Sequence, residues 1–164
     1  MIVKQGVVAL VGRPSEQSVV GRRVAEAYAA RVAAALRPPP AAVILYGSVA
    51  RGTARRHSDI DIIVIADGLP DDWFDRLDIL GDARRTGEGR VQVIGYTLDE
   101  FAAMLAKAHL TALEAVDHGV VLVGGVWFAQ QRERLVALKR EGWRRTPRGW
   151  YRETGSNGSA AYCG

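Results

Sequence analysis

Residues Leu45 to Ile65 read LYGSVARGTARRHSDIDIIVI, and this stretch decides the fold. The apolar run Ala41 to Tyr46 stops abruptly at Gly47-Ser48. Ten further residues contain a second glycine, Gly52, and the basic cluster Arg55-Arg56-His57. Asp59-Ile60-Asp61 then opens a second apolar run that continues to Ala66. Two buried strands joined by a polar turn and a short helix account for this pattern. Alternate side chains of a strand point to opposite faces, so Asp59 and Asp61 share a face and Ile60 points away.

The chemistry follows from that placement. Two neighbouring carboxylates repel unless a positive charge lies between them. A divalent cation meets this need, and a hard oxygen set suits magnesium, which brings substrate phosphates with it. Gly47-Ser48 stands where a strand turns into a helix. Glycine lets the backbone approach a ligand closely, and the Ser48 hydroxyl with the first helical N–H groups can hold a phosphate. Phosphate donors at one end and a metal clamp at the other are equipment for a nucleoside triphosphate.

G-S-x-x-x-G, a short gap, then S-D-x-D before an apolar run resembles the signature of the DNA polymerase beta-type nucleotidyltransferase superfamily. Here it is carried by Gly47, Ser48, Gly52, Ser58, Asp59 and Asp61. The short chain is most similar to the minimal nucleotidyltransferases, and the looser likeness runs from about Leu36 to Gly124. The resemblance implies an α/β fold, with a small mixed β-sheet of four or five strands, helices packed on it and the site at its edge. It implies Asp59 and Asp61 as catalytic metal ligands for Mg²⁺ or Mn²⁺. Gly47, Ser48, Arg51 and Ser58 would lie on the nucleotide phosphates, with ATP or another nucleoside triphosphate as substrate. Members usually carry a third carboxylate on the next strand. The matching position is Gln92, which offers a carbonyl oxygen but cannot accept a proton as a carboxylate does.

Two rival readings of the glycines fail. Gly47 to Gly52 fits the start of a P-loop, but Thr53 stands where that motif needs Lys. Val49 excludes G-x-G-x-x-G. An ordinary turn followed by a capping Asp fits each feature singly, but it does not account for Asp61 inside an apolar strand.

A chain of 164 residues with 48% apolar content suits one globular domain. No apolar run has membrane-spanning length and no signal peptide is recognisable, so a cytoplasmic protein without membrane contact is expected. The single cysteine, Cys163, excludes an internal disulfide and is expected to be an inert tail thiol. A net charge of +4 is compatible with nucleotide or RNA contacts without requiring them.

Met1 to Gly12 reads as strand or short helix. Ser15 is the expected N-cap of a helix to about Leu36, with Val20, Val24, Tyr28, Val32 and Leu36 as its apolar stripe. Asp71 to Gly81 reads as a helix with Trp73, Phe74, Leu77 and Leu80 inward, and Glu88 as a solvated loop charge. Arg90 to Tyr96 is the third strand. Thr97 to Glu100 has capping-box spacing ahead of a helix, and a second helical piece ends at His118-Gly119. Val120 to Val123 is a fourth strand, and Val126 to Glu141 a last helix. His57, His109 and His118 lack metal-ligand spacing. Residues 1–141 are expected to form the nucleotidyltransferase domain and 142–164 a basic, aromatic arm with a disordered tail. The arm, GWRRTPRGWYR, fits packing on the domain or on a partner slightly better than strand binding by stacking and phosphate contact.

The expected activity is Mg-dependent transfer of a nucleoside monophosphate, AMP from ATP, to a hydroxyl of a protein or nucleic-acid acceptor. The resemblance adds an antitoxin-like role beside a separate HEPN protein. Two alternatives stay open: a catalytically impaired nucleotide-binding or regulatory partner, motivated by Gln92, and RNA binding through the arm. A homodimer is also compatible with the sequence.

Overall fold

The computed structural model describes residues 13–146, 149–153 and 161–162. The expected element at Met1–Gly12, Cys163 and most of the expected tail lie outside these residues. The first helix, α1 (Glu16–Ala35), starts where Ser15 accepts a hydrogen bond from the Ser18 N–H. Then come β1 (Ala42–Tyr46), the single turn α2 (Gly47–Ala50) and β2 (Ile60–Ile65). Helix α3 (Trp73–Asp82), β3 (Val91–Tyr96), α4 (Leu98–Ala106), α5 (Leu110–His118) and β4 (Val120–Val123) follow. Helix α6 (Gly125–Arg140) leads to β5 (Trp143–Thr146), β6 (Gly149–Arg152) and β7 (Ala161–Tyr162).

The main sheet has four strands in the order β3-β2-β1-β4. Strand β2 runs antiparallel to β1 and parallel to β3, and β4 runs antiparallel to β1. The sheet is therefore mixed, as expected, and both faces are covered. On one face Val43, Leu45, Ile62 and Val64 pack under Ala25, Tyr28 and Val32 of α1 and Leu80 of α3. On the other, Ile44, Ile63 and Ile65 pack under Phe101 of α4, Leu113 and Val116 of α5 and Phe128 of α6. Runs such as IDIIVI are apolar at nearly every position because both faces are buried.

Three expectations are corrected. Val20 is exposed, and the inner face of α1 is Gly21, Ala25, Tyr28, Ala29 and Val32. Close approach selects small residues there: a Cβ on Gly21 would sit 3.1 Å from both Val49 methyls. Trp73 and Phe74 are exposed, because α3 begins only after the Asp72 cap and turns Arg76 and Leu80 inward. Glu88 is not a solvated loop charge but is paired with Arg31. The buried Arg76 is matched by Glu100, 2.6 and 3.0 Å away, so Glu100 both completes the capping box of α4 and neutralises a buried cation.

The arm is a second, three-stranded sheet, β5-β6-β7. It is pinned by Trp150, which is 1% exposed and belongs to the core on the α5–α6 side. Among the described residues no helix is long and apolar enough to cross a membrane.

Candidate active site

The sheet register gathers the acidic positions. Asp61 is paired with Tyr46 at the end of β1 and with Gln92 near the start of β3. Register partners on parallel strands share a face, so Asp61 and Gln92 present their side chains together. Asp59 lies just ahead of β2, two residues away. The Asp61 carboxyl is pushed above its ordinary value, first by burial and then by the charge of Asp59, with Arg51 opposing the shift. No protein donor among the described residues hydrogen-bonds either carboxylate. A half-buried carboxylate beside a second one, with no donor to share its charge, has the electrostatics of a cation site.

Gly47 is the part of the turn that allows this. Its φ is +71°, in the left-handed region that favours glycine. A Cβ there would sit 2.2 Å from Asp61 Oδ2. The β1–α2 turn therefore passes directly against the carboxylate. Ser48 follows, half-buried, with its hydroxyl engaged by no protein group among the described residues. Ser58 is used locally: its Oγ accepts from the Arg55 N–H at 2.8 Å, which leaves its proton to donate elsewhere. His57 is exposed beside it. The loop is held from below by α1, where the Ser15 hydroxyl donates to the Ala54 carbonyl at 2.8 Å and the Ala54 N–H donates to Ser18 Oγ at 3.0 Å.

The donor set fits a hard divalent cation: two carboxylates and the amide oxygen of Gln92. Among the described residues no cluster of three or more His, Cys, Asp or Glu forms, so no nearby acid replaces the third carboxylate, and Glu88 is occupied by Arg31. The Tyr46 hydroxyl, on the same side, is pushed up to about 12 by burial and then by the charge of Asp61. A cavity of about 530 Å³, lined by Trp73, Tyr96 and Met104 among others, lies at the far end of β3. It is roughly 13 Å along the strand from Gln92 and is not the carboxylate site.

Sequence reasoning did not place Glu114 or Arg145. Glu114 on α5 accepts from Arg51 at 3.3 Å and from Arg145 of β5 at 3.1 Å. The basic and aromatic composition of the arm was a signal, but its destination against α2 and α5 is a tertiary fact.

Residues 33–116, just over half of the chain, match the family described as Polymerase beta, Nucleotidyltransferase. A protein of Methanocaldococcus jannaschii, assigned by name as a protein adenylyltransferase, is 52% identical over 40 residues. That match covers 24% of this chain and 27% of the relative's own length. A crystal structure assigned by name as a nucleotidyltransferase of Sulfolobus solfataricus has 24% identity and a TM-score of 0.48, covering 71% of this chain and 90% of that one. A toxin–antitoxin crystal structure with AMP-PNP has 22% identity and a TM-score of 0.44, covering 69% of this chain and 90% of that one. By the match over residues 33–116, and with the mixed sheet and signature stretch in place, the chain belongs to the polymerase beta nucleotidyltransferase family, a family of transferase enzymes.

Proposed function

We propose that the protein binds a nucleoside triphosphate with Mg²⁺ or Mn²⁺ and transfers the nucleoside monophosphate to an acceptor hydroxyl. The observation that carries this reading is the pair Asp59 and Asp61, to which no group among the described residues donates, with Gly47 against Asp61 and a Ser48 hydroxyl that the same residues leave unused. Asp59 and Asp61 would hold the cation, with Gln92 as a neutral third oxygen. A bound divalent ion supplies charge neutralisation at the phosphates and at the developing transition state. Gly47, Ser48, Arg51 and Ser58 would orient the phosphates. In the step, the acceptor oxygen bonds to the α-phosphorus, the bond from that phosphorus to the α,β-bridging oxygen breaks, pyrophosphate leaves, and the acceptor proton passes to water. AMP from ATP, with a protein hydroxyl as acceptor, is the version that the name of the Methanocaldococcus relative favours. A separate HEPN-type protein is the acceptor partner that the likeness to minimal nucleotidyltransferases recommends testing. Residues 1–141 are assigned to this chemistry, with 142–164 as an appended arm.

The test is transfer of labelled AMP from ATP to protein hydroxyls, comparing wild type with Asp59→Asn and Asp61→Asn. Transfer should vanish in both variants while the melting curve persists. Unchanged transfer in both variants would refute the assignment. Gln92 favours a second reading, a site that binds nucleotide but has lost most of its transfer activity. Nucleotide binding without transfer in the wild type, with transfer appearing in Gln92→Glu, would establish it.

A further inference from the structure

We propose that the C-terminal hairpin completes the site with an anion pocket formed by Arg145 and Arg51, which takes the terminal phosphates of the nucleotide. This rests on the nucleotidyltransferase reading above. The family match ends at residue 116, so β5 and β6 lie outside the matched region.

The geometry starts at Glu114. Its Oε2 accepts from Arg51 Nη1 at 3.3 Å, and its Oε1 accepts from Arg145 Nε at 3.1 Å and from Trp150 Nε1 at 3.1 Å. One carboxylate thus ties the end of α2 to both hairpin strands. Trp150 is buried and fixes the hairpin on α5, so Arg145 is held rather than swinging on a loose arm. Beside this junction lies a cavity of about 390 Å³ lined by Arg51, Leu110, Glu114, Arg145, Thr146 and Gly149.

The charge balance identifies the ligand class. The lining holds two guanidiniums and one carboxylate, Glu114. Asp117 lies 3.8 Å from Arg145 Nε, outside the lining, but is itself met by Lys139 at 2.5 Å, so the pocket keeps one surplus positive charge. Each guanidinium has five N–H donors in a planar fork. Among the described residues, Arg51 uses one of its donors on Glu114 and Arg145 uses two. Both side chains are about a third exposed, at 33% and 32%, and open to a ligand. Forks with donors to spare, in a polar pocket with one apolar lining residue, match phosphate oxygens. Arg51 closes the turn α2, whose first residue, Gly47, lies against the Asp61 carboxylate. The pocket is therefore one helical turn along the chain from the carboxylates, within the span of a triphosphate.

The experiment is calorimetric titration of the full chain with magnesium tripolyphosphate, Mg-ATP and Mg-AMP. The variants are Arg145→Ala, Arg145→Lys and Arg144→Ala, a control on the same strand whose exposed side chain pairs with Glu153. Arg145→Ala should weaken tripolyphosphate and ATP by about tenfold or more and leave AMP unchanged. Arg145→Lys, which keeps the charge and the hairpin but not the fork, should fall between. Arg144→Ala should bind as wild type. Wild-type affinity for tripolyphosphate in both Arg145 variants, or equal weakening in Arg144→Ala, would overturn the proposal. Tripolyphosphate binding through Arg145 in a protein that takes no Mg-ATP would remove its assignment to a nucleotide. Loss of single-stranded RNA binding in Arg145→Ala with ATP affinity intact would give the pocket to nucleic acid and overturn it too.

Discussion

Gly47→Ala separates the two demands placed on this turn. The first is backbone strain, since φ is +71° and a residue with a Cβ there costs about 1–2 kcal/mol. The second is a collision, because the new Cβ lies 2.2 Å from Asp61 Oδ2. The carboxylate is the far end of a flexible side chain, so it moves off its rotamer, at about 0.5–1.5 kcal/mol. Together these give about 1.5–3.5 kcal/mol, a fall in Tm of about 3–14 °C for a domain of this size. The functional cost is larger than stability suggests, because the displaced group is half of the proposed cation clamp. Affinity for the metal–nucleotide complex should fall about 10–100-fold, as when a group that orients a metal ligand is lost. Gly87→Ala is the control: φ is +91° and nothing lies within 4 Å of its Cβ, so it carries strain alone. Calorimetric nucleotide titration and thermal melts of both variants, with Asp61→Ala closing a double-mutant cycle, make the comparison. In the Asp61→Ala background Gly47→Ala should cost only the strain, leaving a coupling of about 0.5–1.5 kcal/mol. Unaltered nucleotide affinity in Gly47→Ala with no coupling to Asp61 would refute the reasoning.

Gln92→Glu restores a proton acceptor in register with Asp61 and should raise the transfer rate about a hundredfold or more, read by single-turnover transfer. An unchanged rate would mean that the proton leaves without help from this position. The Asp61 carboxyl titrates above its unfolded value, so its contribution to stability is present at acid pH and is lost as pH rises through the folded pKa. Without divalent cation, Asp61→Asn should therefore melt with wild type at acid pH and above it near neutrality; the opposite trend would contradict the electrostatics. Glu100→Ala leaves the buried Arg76 without its carboxylate and the Thr97 N–H without its cap, and should cost about 1–3 kcal/mol in denaturant titration.

The signature stretch made the candidate site legible because its residues are local. Asp59 and Asp61 lie two residues apart, and the strand period places them together without knowledge of any other element. Gln92 was reached through the resemblance, whose members carry a carboxylate on the next strand, and the parallel register of β2 and β3 pairs it with Asp61. The inner face of α1 was misread because Gly21, Ala25 and Ala29 carry little hydrophobic signal, while Val20 carries much and faces water. Trp73 and Phe74 misled in the same way, since the Asp72 cap sets the phase of α3 and their apolarity does not. Arg145 was visible only as part of a basic, aromatic run. Its position beside Arg51 depends on Glu114, 31 residues upstream, and on a buried Trp150, which no local pattern encodes.

The central claim is that Asp59 and Asp61 hold a cation that holds a nucleotide. Calorimetric titration of wild type and Asp59→Asn/Asp61→Asn with Mg-ATP tests it without knowledge of the acceptor. The account predicts magnesium-dependent binding in the wild type and none in the folded double variant. Equal binding in the two proteins, or none in the wild type with ATP or any other triphosphate, would contradict it.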